Sequence, residues 1–181
     1  MTAAVSDSAF SNSRSLGQDV GTDIDRAKSQ ALYYLKFRSR SSAEMDAYLT
    51  RKGFERYVRE EVLDWLRQLG YIDDLQFARN WIQNRIRTNP MGERRLVQEL
   101  RQKGIPKEVI EKAVEEFRES VDERDLTFKV AAERARIYAD EAGETAKRKL
   151  TAYLLRRGFG LDDVRNAVER VLEQDREEHL N

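Results

Sequence analysis

Apolar residues along this chain recur three to four positions apart, and the whole pattern returns three times. Aligned on Gly53, Gly104 and Gly158, which stand 51 and 54 residues apart, the copies read LTRKGF, LRQKGI and LLRRGF. Eight and four residues upstream of each glycine lie Met45 and Leu49, Leu96 and Leu100, and Leu150 and Leu154. That i, i+4 spacing places each pair on one face of a helix. Downstream, Val62, Leu63 and Leu66 correspond to Ala113, Val114 and Phe117, and to Ala167, Val168 and Val171. A glycine just past the last periodic residue is a helix stop, because it alone enters the left-handed conformation without steric cost. The apolar residue that follows (Phe54, Ile105, Phe159) then packs back on the helix just ended.

The flanking signals complete each unit. Ser41-Ser42-Ala43-Glu44 has the form of a capping box opening the helix that ends at Lys52. Gly70 closes the next helix, and Asp73 or Asp74 caps one running to about Thr88. Pro106 suits a first-turn position in the middle copy. An earlier helix precedes each pair, at about 24–37, 74–88 and 122–141, and no stretch reads as a strand. The fold class expected is all-α: three tandem three-helix repeats stacked into an elongated, curved array. Repeats are placed at 24–72, 73–120 and 121–175, after a disordered leader at 1–23 and before a tail at 176–181.

Composition narrows the chemistry. Cysteine is absent and the one histidine is His179, so there is little material for a thiol, a nucleophile–base pair or a transition-metal site. We therefore expect no enzyme, catalytic residue, cofactor or metal. The adjacent carboxylates Asp73 and Asp74 read as caps rather than metal ligands. No apolar run approaches the ~20 residues of a membrane span, and the N-terminus has neither a basic n-region nor an apolar h-region; a cytoplasmic, monomeric protein is expected. Net charge is zero but unevenly spread. Arg79 to Lys103 carries seven positive residues against two negative, and Glu108 to Asp125 eight acids against three bases.

Several stretches resemble the RecX family of bacterial recombination regulators. They are GYIDDLQFAR at 70–79, MGERRLVQELRQKGIPKEVIEKAV at 91–114, RSRSSAEMDAYLTRKGF at 38–54 and KRKLTAYLLRRGFGLDDVRNAV at 147–168. The likeness spans about residues 27–172 and lies in the ordered succession of these segments. Met45-Asp46 departs from it where family members more often have Glu-Leu, and the apolar position survives. The resemblance implies a three-repeat helical protein that binds the RecA recombinase in the groove of its filament on single-stranded DNA. It further implies restraint of filament growth and inhibition of ATPase and strand exchange, with consequences for DNA repair, recombination and the SOS response.

The candidate filament-binding residues are cations. Arg85, Arg87, Arg94, Arg95, Arg101 and Lys103 form a basic belt suited to phosphate neutralisation; Arg94 and Arg101, seven apart, share a helix face. The cation before each repeat glycine (Lys52, Lys103, Arg157) has a structural explanation in the helix dipole, worth about 0.3–1 kcal/mol. Arg51 and Arg156, which double it in the outer copies, are the better functional candidates. Tyr33, Tyr34, Phe37, Trp65, Phe77 and Trp81 sit at helical spacings and read as core or inter-repeat packing rather than as base-stacking platforms, and Tyr71 as a packing residue. A free-standing helix-turn-helix DNA-binding protein is the main alternative. The helices after each turn, FERYVREE, IPKEVIEK and FGLDDVRNA, begin with acids where a base edge or phosphate belongs, which argues against it. A purely protein–protein adaptor is a further alternative.

Overall fold

A computed structural model describes residues 8–139, 141 and 143–178, with side chains described within 21–174. Among these residues the chain is helical throughout: α1 (Ser8–Leu35), α2 (Ser42–Arg51), α3 (Arg56–Gln68), α4 (Asp74–Thr88), α5 (Glu93–Gln102), α6 (Lys107–Ser120), α7 (Glu123–Ala135), a 3₁₀ turn at Arg136–Tyr138, α8 (Gly143–Arg156) and α9 (Leu161–Glu178). This is the all-α arrangement of three three-helix repeats. Two boundaries differ from expectation. Ser8–Asp23 lies in α1, where a leader without structure was expected. Extending a helix already anchored by packed residues is far easier than nucleating one, and the segment contains no proline to stop it. At the other end α9 runs into the predicted tail, as far as Glu178; His179 lies outside the described residues.

The repeated motif is a Schellman turn. The Gly53 N–H donates to the Thr50 carbonyl (3.0 Å) and the Phe54 N–H to that of Leu49 (3.2 Å). Gly104 and Ile105 bond in the same way to Arg101 and Leu100, and Gly158 and Phe159 to Leu155 and Leu154. The three glycines have φ of +83°, +71° and +86°. Each leucine of the motif thus acts twice: its carbonyl closes the turn, and its side chain is fully buried. Gly70 makes a fourth such turn, with Tyr71 bonded to Leu66. Every apolar position aligned across the copies, from Met45 to Val171, is buried. Truncating one of the motif leucines to alanine removes roughly 2–5 kcal/mol.

The caps are shared between helices. Ser41 Oγ accepts the Glu44 N–H (3.1 Å), and the Glu44 carboxylate holds Arg38 with two bonds of 2.9 Å. Asp73 Oδ1 accepts the Gln76 N–H (2.9 Å) and so caps α4. Asp74 Oδ1 reaches back to the Ser42 N–H (2.8 Å) at the start of α2. Both adjacent carboxylates therefore serve helix N-termini, one of them 32 positions away. Pro106 is the N-cap of α6 rather than its first residue, its carbonyl accepting from Val109 and Ile110.

The chain forms two compact units, Met1–Phe77 and Ala78–Asn181. The core of the first joins Ala27 and Ala31 of α1 to Met45 and Leu49 of α2, and to Val58, Val62 and Leu66 of α3. In the second, the α7–α9 core gathers Val130, Ala131, Leu150, Leu154, Phe159, Val164 and Val168. There α4 is tied to α6 by two 2.6 Å bonds from Arg79 to Glu116, whose carboxyl is held below its ordinary range by that pairing.

The second unit also contains a close backbone seam between its two repeats. The Gly92 N–H donates to the Arg157 carbonyl (3.0 Å). A Cβ on Gly92 would lie 2.4 Å from the Gly158 oxygen, and one on Gly158 would lie 2.5 Å from the Arg95 nitrogen. Two glycines facing each other are what allow the α5 N-terminus to sit on the turn that ends α8.

Candidate functional site

Helix α5 carries most of the predicted basic belt, and the structure divides that belt between two faces. Arg94 and Arg101 line a groove of about 410 Å³ between α5 and α6, floored by Val97, Ile110 and Val114. Lys107 and Arg118 stand on the same groove, but Lys107 pairs with Glu111 (3.5 Å) and Arg118 grips Glu93 through bonds of 2.6 and 2.7 Å. Arg94 and Arg101 are exposed and have no ion pair among the described residues. Their charge is therefore available to an external anion.

The other face of α5 is internally committed. Glu99, only 11% exposed, accepts from Trp81 Nε1 (2.9 Å) and Arg85 Nε (2.7 Å), with Arg95 Nε at 3.7 Å. Arg85 and Lys103 lie 4.7 and 4.8 Å from the centre of the Trp81 ring. One largely buried carboxylate and one indole thus hold three of the six belt cations, and Arg95 also bonds Gln98 (2.9 Å). Arg87, in the last turn of α4, is exposed. The six residues do not present one continuous surface, because α5 turns ~100° per residue and positions 94 and 95 diverge accordingly.

The cations of the repeated turn also separate. Lys52 and Lys103 are the C-caps of α2 and α5, where the dipole favours them. Arg157 does more, since its guanidinium bonds Asn89 Oδ1 and the Pro90 carbonyl (2.8 Å), tying the third repeat to the second. Arg51 and Arg156 are exposed and free of ion pairs among the described residues. Arg156 lines a second groove of about 410 Å³ with Asn89, Met91, Arg95, Glu99, Tyr153 and Arg157.

The aromatic residues contain a correction. Tyr33 is 60% exposed, Phe37 65% and Tyr71 55%, so these three are not core. The helical wheel held the signal: Ala27, Ala31, Tyr34 and Leu35 define the buried side of α1. Tyr33, one residue before Tyr34, falls well outside that arc. Among the described residues no group of His, Cys, Asp or Glu is arranged to hold a metal ion, and no helix is long and apolar enough to cross a membrane.

Three family models match the chain in order: the first three-helix domain of RecX at 27–66, the second at 73–114 and the third at 122–168. The protein belongs to the RecX family. Regulatory protein RecX of Prosthecochloris aestuarii is 34% identical over 151 residues, covering 83% of this chain and 97% of the relative. That of Mycolicibacterium smegmatis is 32% identical over 163 residues, covering 88% and 87%. The crystal structure of RecX from Lactobacillus salivarius has the same fold, with a TM-score of 0.73 at 21% identity over 83% of this chain and 97% of that one. A second crystal structure of regulatory protein RecX gives 0.75 at 23% identity, over 94% and 81%. In RecX terms, the three matched domains are α1–α3, α4–α6 and α7–α9, and the α5–α6 groove lies within the second.

Proposed function

We propose that this RecX-family chain is a non-enzymatic regulator of the RecA recombinase. It binds the RecA filament on single-stranded DNA, in the filament's helical groove, and inhibits ATP hydrolysis, strand exchange and filament extension. It acts as a cytoplasmic monomer in DNA repair and recombination. The observation that supports this reading best is the pair Arg94 and Arg101, exposed cations without ion pairs among the described residues, on an apolar-floored groove of the second repeat. Arg51, Arg87 and Arg156 are further exposed cations available to the same partner. Arg85, Arg95, Lys103 and Arg157 are committed to contacts within the second unit, and Lys52 caps α2 in the first.

The test is RecA ATPase on single-stranded DNA with this protein added below stoichiometry, across a range of salt. Inhibition is expected, weakening as salt rises because phosphate contacts release counterions. Reversing both arginines, Arg94→Glu with Arg101→Glu, should raise the concentration needed while leaving far-UV circular dichroism unchanged. Absence of inhibition by the unaltered protein against RecA of its own organism would refute the proposal.

A further inference from the structure

In the first unit, the guanidinium groups of Arg26, Arg38, Arg56, Arg59 and Arg67 each pair with a carboxylate at 2.7–3.0 Å. Arg40 does not. Its Nε is buried with no hydrogen-bond partner, and its guanidinium lies 3.8 Å from the centre of the Tyr34 ring. Tyr34 in turn stacks on Tyr48, centroids 4.0 Å apart and planes 6° from parallel. Lys52 Nζ stands 5.5 Å from the Tyr48 ring, and the Tyr48 hydroxyl donates to Gln30 Oε1 (3.0 Å). A tyrosine face attracts a cation without neutralising it. The stack therefore fixes the plane of Arg40 while leaving its charge unpaired.

The chain segment that leads to Arg40 adds a second element. Tyr33 and Phe37, the exposed aromatic pair, meet edge to face with centroids 5.3 Å apart, and the exposed Lys36 lies beside them in sequence. Side chains that expose most of an aromatic ring offer a π face to a ligand. An oriented, unpaired guanidinium offers a two-pronged donor matched to phosphate oxygens. An apolar protein segment would use the rings and leave the guanidinium charge unmet; an acidic peptide would do the reverse. Single-stranded nucleic acid uses both, through its phosphates and the faces of its bases.

From these two features of one short segment, residues 33–40, we infer that the first repeat carries a contact for single-stranded DNA, with Arg40 on a phosphate, Lys52 supporting the charge, and Tyr33 and Phe37 stacking against a base. The inference rests on the filament reading for its biological setting, but not for its test. The test uses fluorescence anisotropy of labelled oligo-dT with the full chain alone, without RecA. Tyr33→Ala combined with Phe37→Ala should weaken binding about 10-fold or more, the range expected for one lost base stack. Arg40→Lys, which keeps the charge and loses the fork, should weaken it several-fold, and Arg40→Ala should lower the salt slope by about 1. Circular dichroism melts of each variant establish that the fold is intact; the exposed Tyr33 and Phe37 serve if Arg40→Ala unfolds. Oligo-dT affinities within about 2-fold of the unaltered chain would overturn the assignment, as would failure of the unaltered chain to bind at low salt. Loss of binding to DNA-free RecA with oligo-dT affinity retained would also overturn it, by making the patch a protein contact. If the unaltered chain binds oligo-dT but leaves RecA ATPase untouched, the filament proposal fails while the strand contact stands.

Discussion

Replacing Gly92 by alanine tests the seam between the second and third repeats. Its backbone, φ −75° and ψ 164°, is one that alanine adopts freely, so conformation alone predicts little loss. Reducing the freedom of the unfolded chain even favours alanine by about 0.4–1 kcal/mol. Against this, the added Cβ would stand 2.4 Å from the Gly158 oxygen and 2.5 Å from the Gly158 carbon and the Phe159 Cα. All three are backbone atoms of a hydrogen-bonded turn and cannot swing aside, so α5 and the α8 turn must part by about 1 Å to reach ordinary contact. Parting strains the Gly92 N–H bond to Arg157, worth about 0.5–1.5 kcal/mol, and the guanidinium bonds to Asn89 and Pro90, about 1.5–3 kcal/mol for a charged donor. A loss of roughly 3 kcal/mol follows, which at about 4–8 °C per kcal/mol for a unit of this size lowers Tm by roughly 12–24 °C.

The assay is thermal unfolding by far-UV circular dichroism, with two companions in the same unit. Gly143→Ala meets nothing within 4 Å and should leave Tm unchanged or slightly raised. Gly158→Ala combines a φ of +86° with a contact of 2.5 Å to the Arg95 nitrogen and should be the most damaging of the three. A Gly92→Ala protein melting within a few degrees of Gly143→Ala would refute the steric argument and the close seam with it.

The remaining predictions concern single contacts. Asp73→Ala and Asp74→Ala should each lower stability in urea by about 1 kcal/mol, and Asp74→Ala should loosen α2, which its carboxylate caps, as read by faster amide exchange at Ser42. Trp81→Phe removes the Nε1–H that Glu99 accepts and should lower stability by about 1 kcal/mol in the same titration. Burial chiefly, with the neighbouring Glu93 and Asp163 carboxylates adding to it, raises the pKa of Glu123, outweighing the Glu93 N–H bond and the Arg118 charge. Because the folded value lies above the unfolded one, ionisation at neutral pH weakens the fold, and that penalty fades as pH falls through the folded value. Glu123→Gln keeps an acceptor for the Glu93 N–H, so its Tm should exceed that of the unaltered protein at neutral pH and converge with it towards about pH 4.

The fold was legible in the sequence because its determinants are local. Leu49, Gly53 and Phe54 build their turn from six consecutive residues, and any chain with that spacing meets the same backbone geometry. The same locality made Ser41 readable as a cap. The fate of a cation is not local. Arg157 and Arg156 are adjacent and chemically identical, yet one bonds Asn89, 68 positions away, and the other is exposed. The place before the glycine marks Arg157 for the helix end, but nothing in LLRRGF points to Asn89. Arg94 and Arg101 could be paired from their spacing on one helix, whereas the commitment of Arg85 to Glu99 depends on how α4 lies across α5. The exposed Tyr33 and Phe37 are an intermediate case: helical spacing alone suggested core, but Tyr33 points away from Ala27 and Ala31 and Phe37 lies past the end of α1 at Leu35.

The three copies of the turn, alike in hydrogen bonding, are unequal in consequence. Gly53 needs only its left-handed backbone, since a Cβ there meets nothing within 4 Å. Gly158 has the same backbone and also bears against Gly92 and Arg95, so a second constraint is laid on the same residue. Substitution at Gly53 therefore measures conformational strain alone, about 1–2 kcal/mol, while substitution at Gly158 measures strain plus the join between repeats. The cation before the glycine follows this division: Lys52 can serve the end of its own helix, but Arg157 must also hold the loop at Asn89 and Pro90. Arg157→Lys should accordingly destabilise the second unit, because a compact ammonium does not reproduce the two-pronged reach and fixed plane of the guanidinium. Lys52→Arg, which preserves a cation at a helix end, should be nearly neutral. If the two substitutions prove equally mild, the Arg157 side chain is only another dipole cation and the repeats are joined by packing and the Gly92 backbone bond alone.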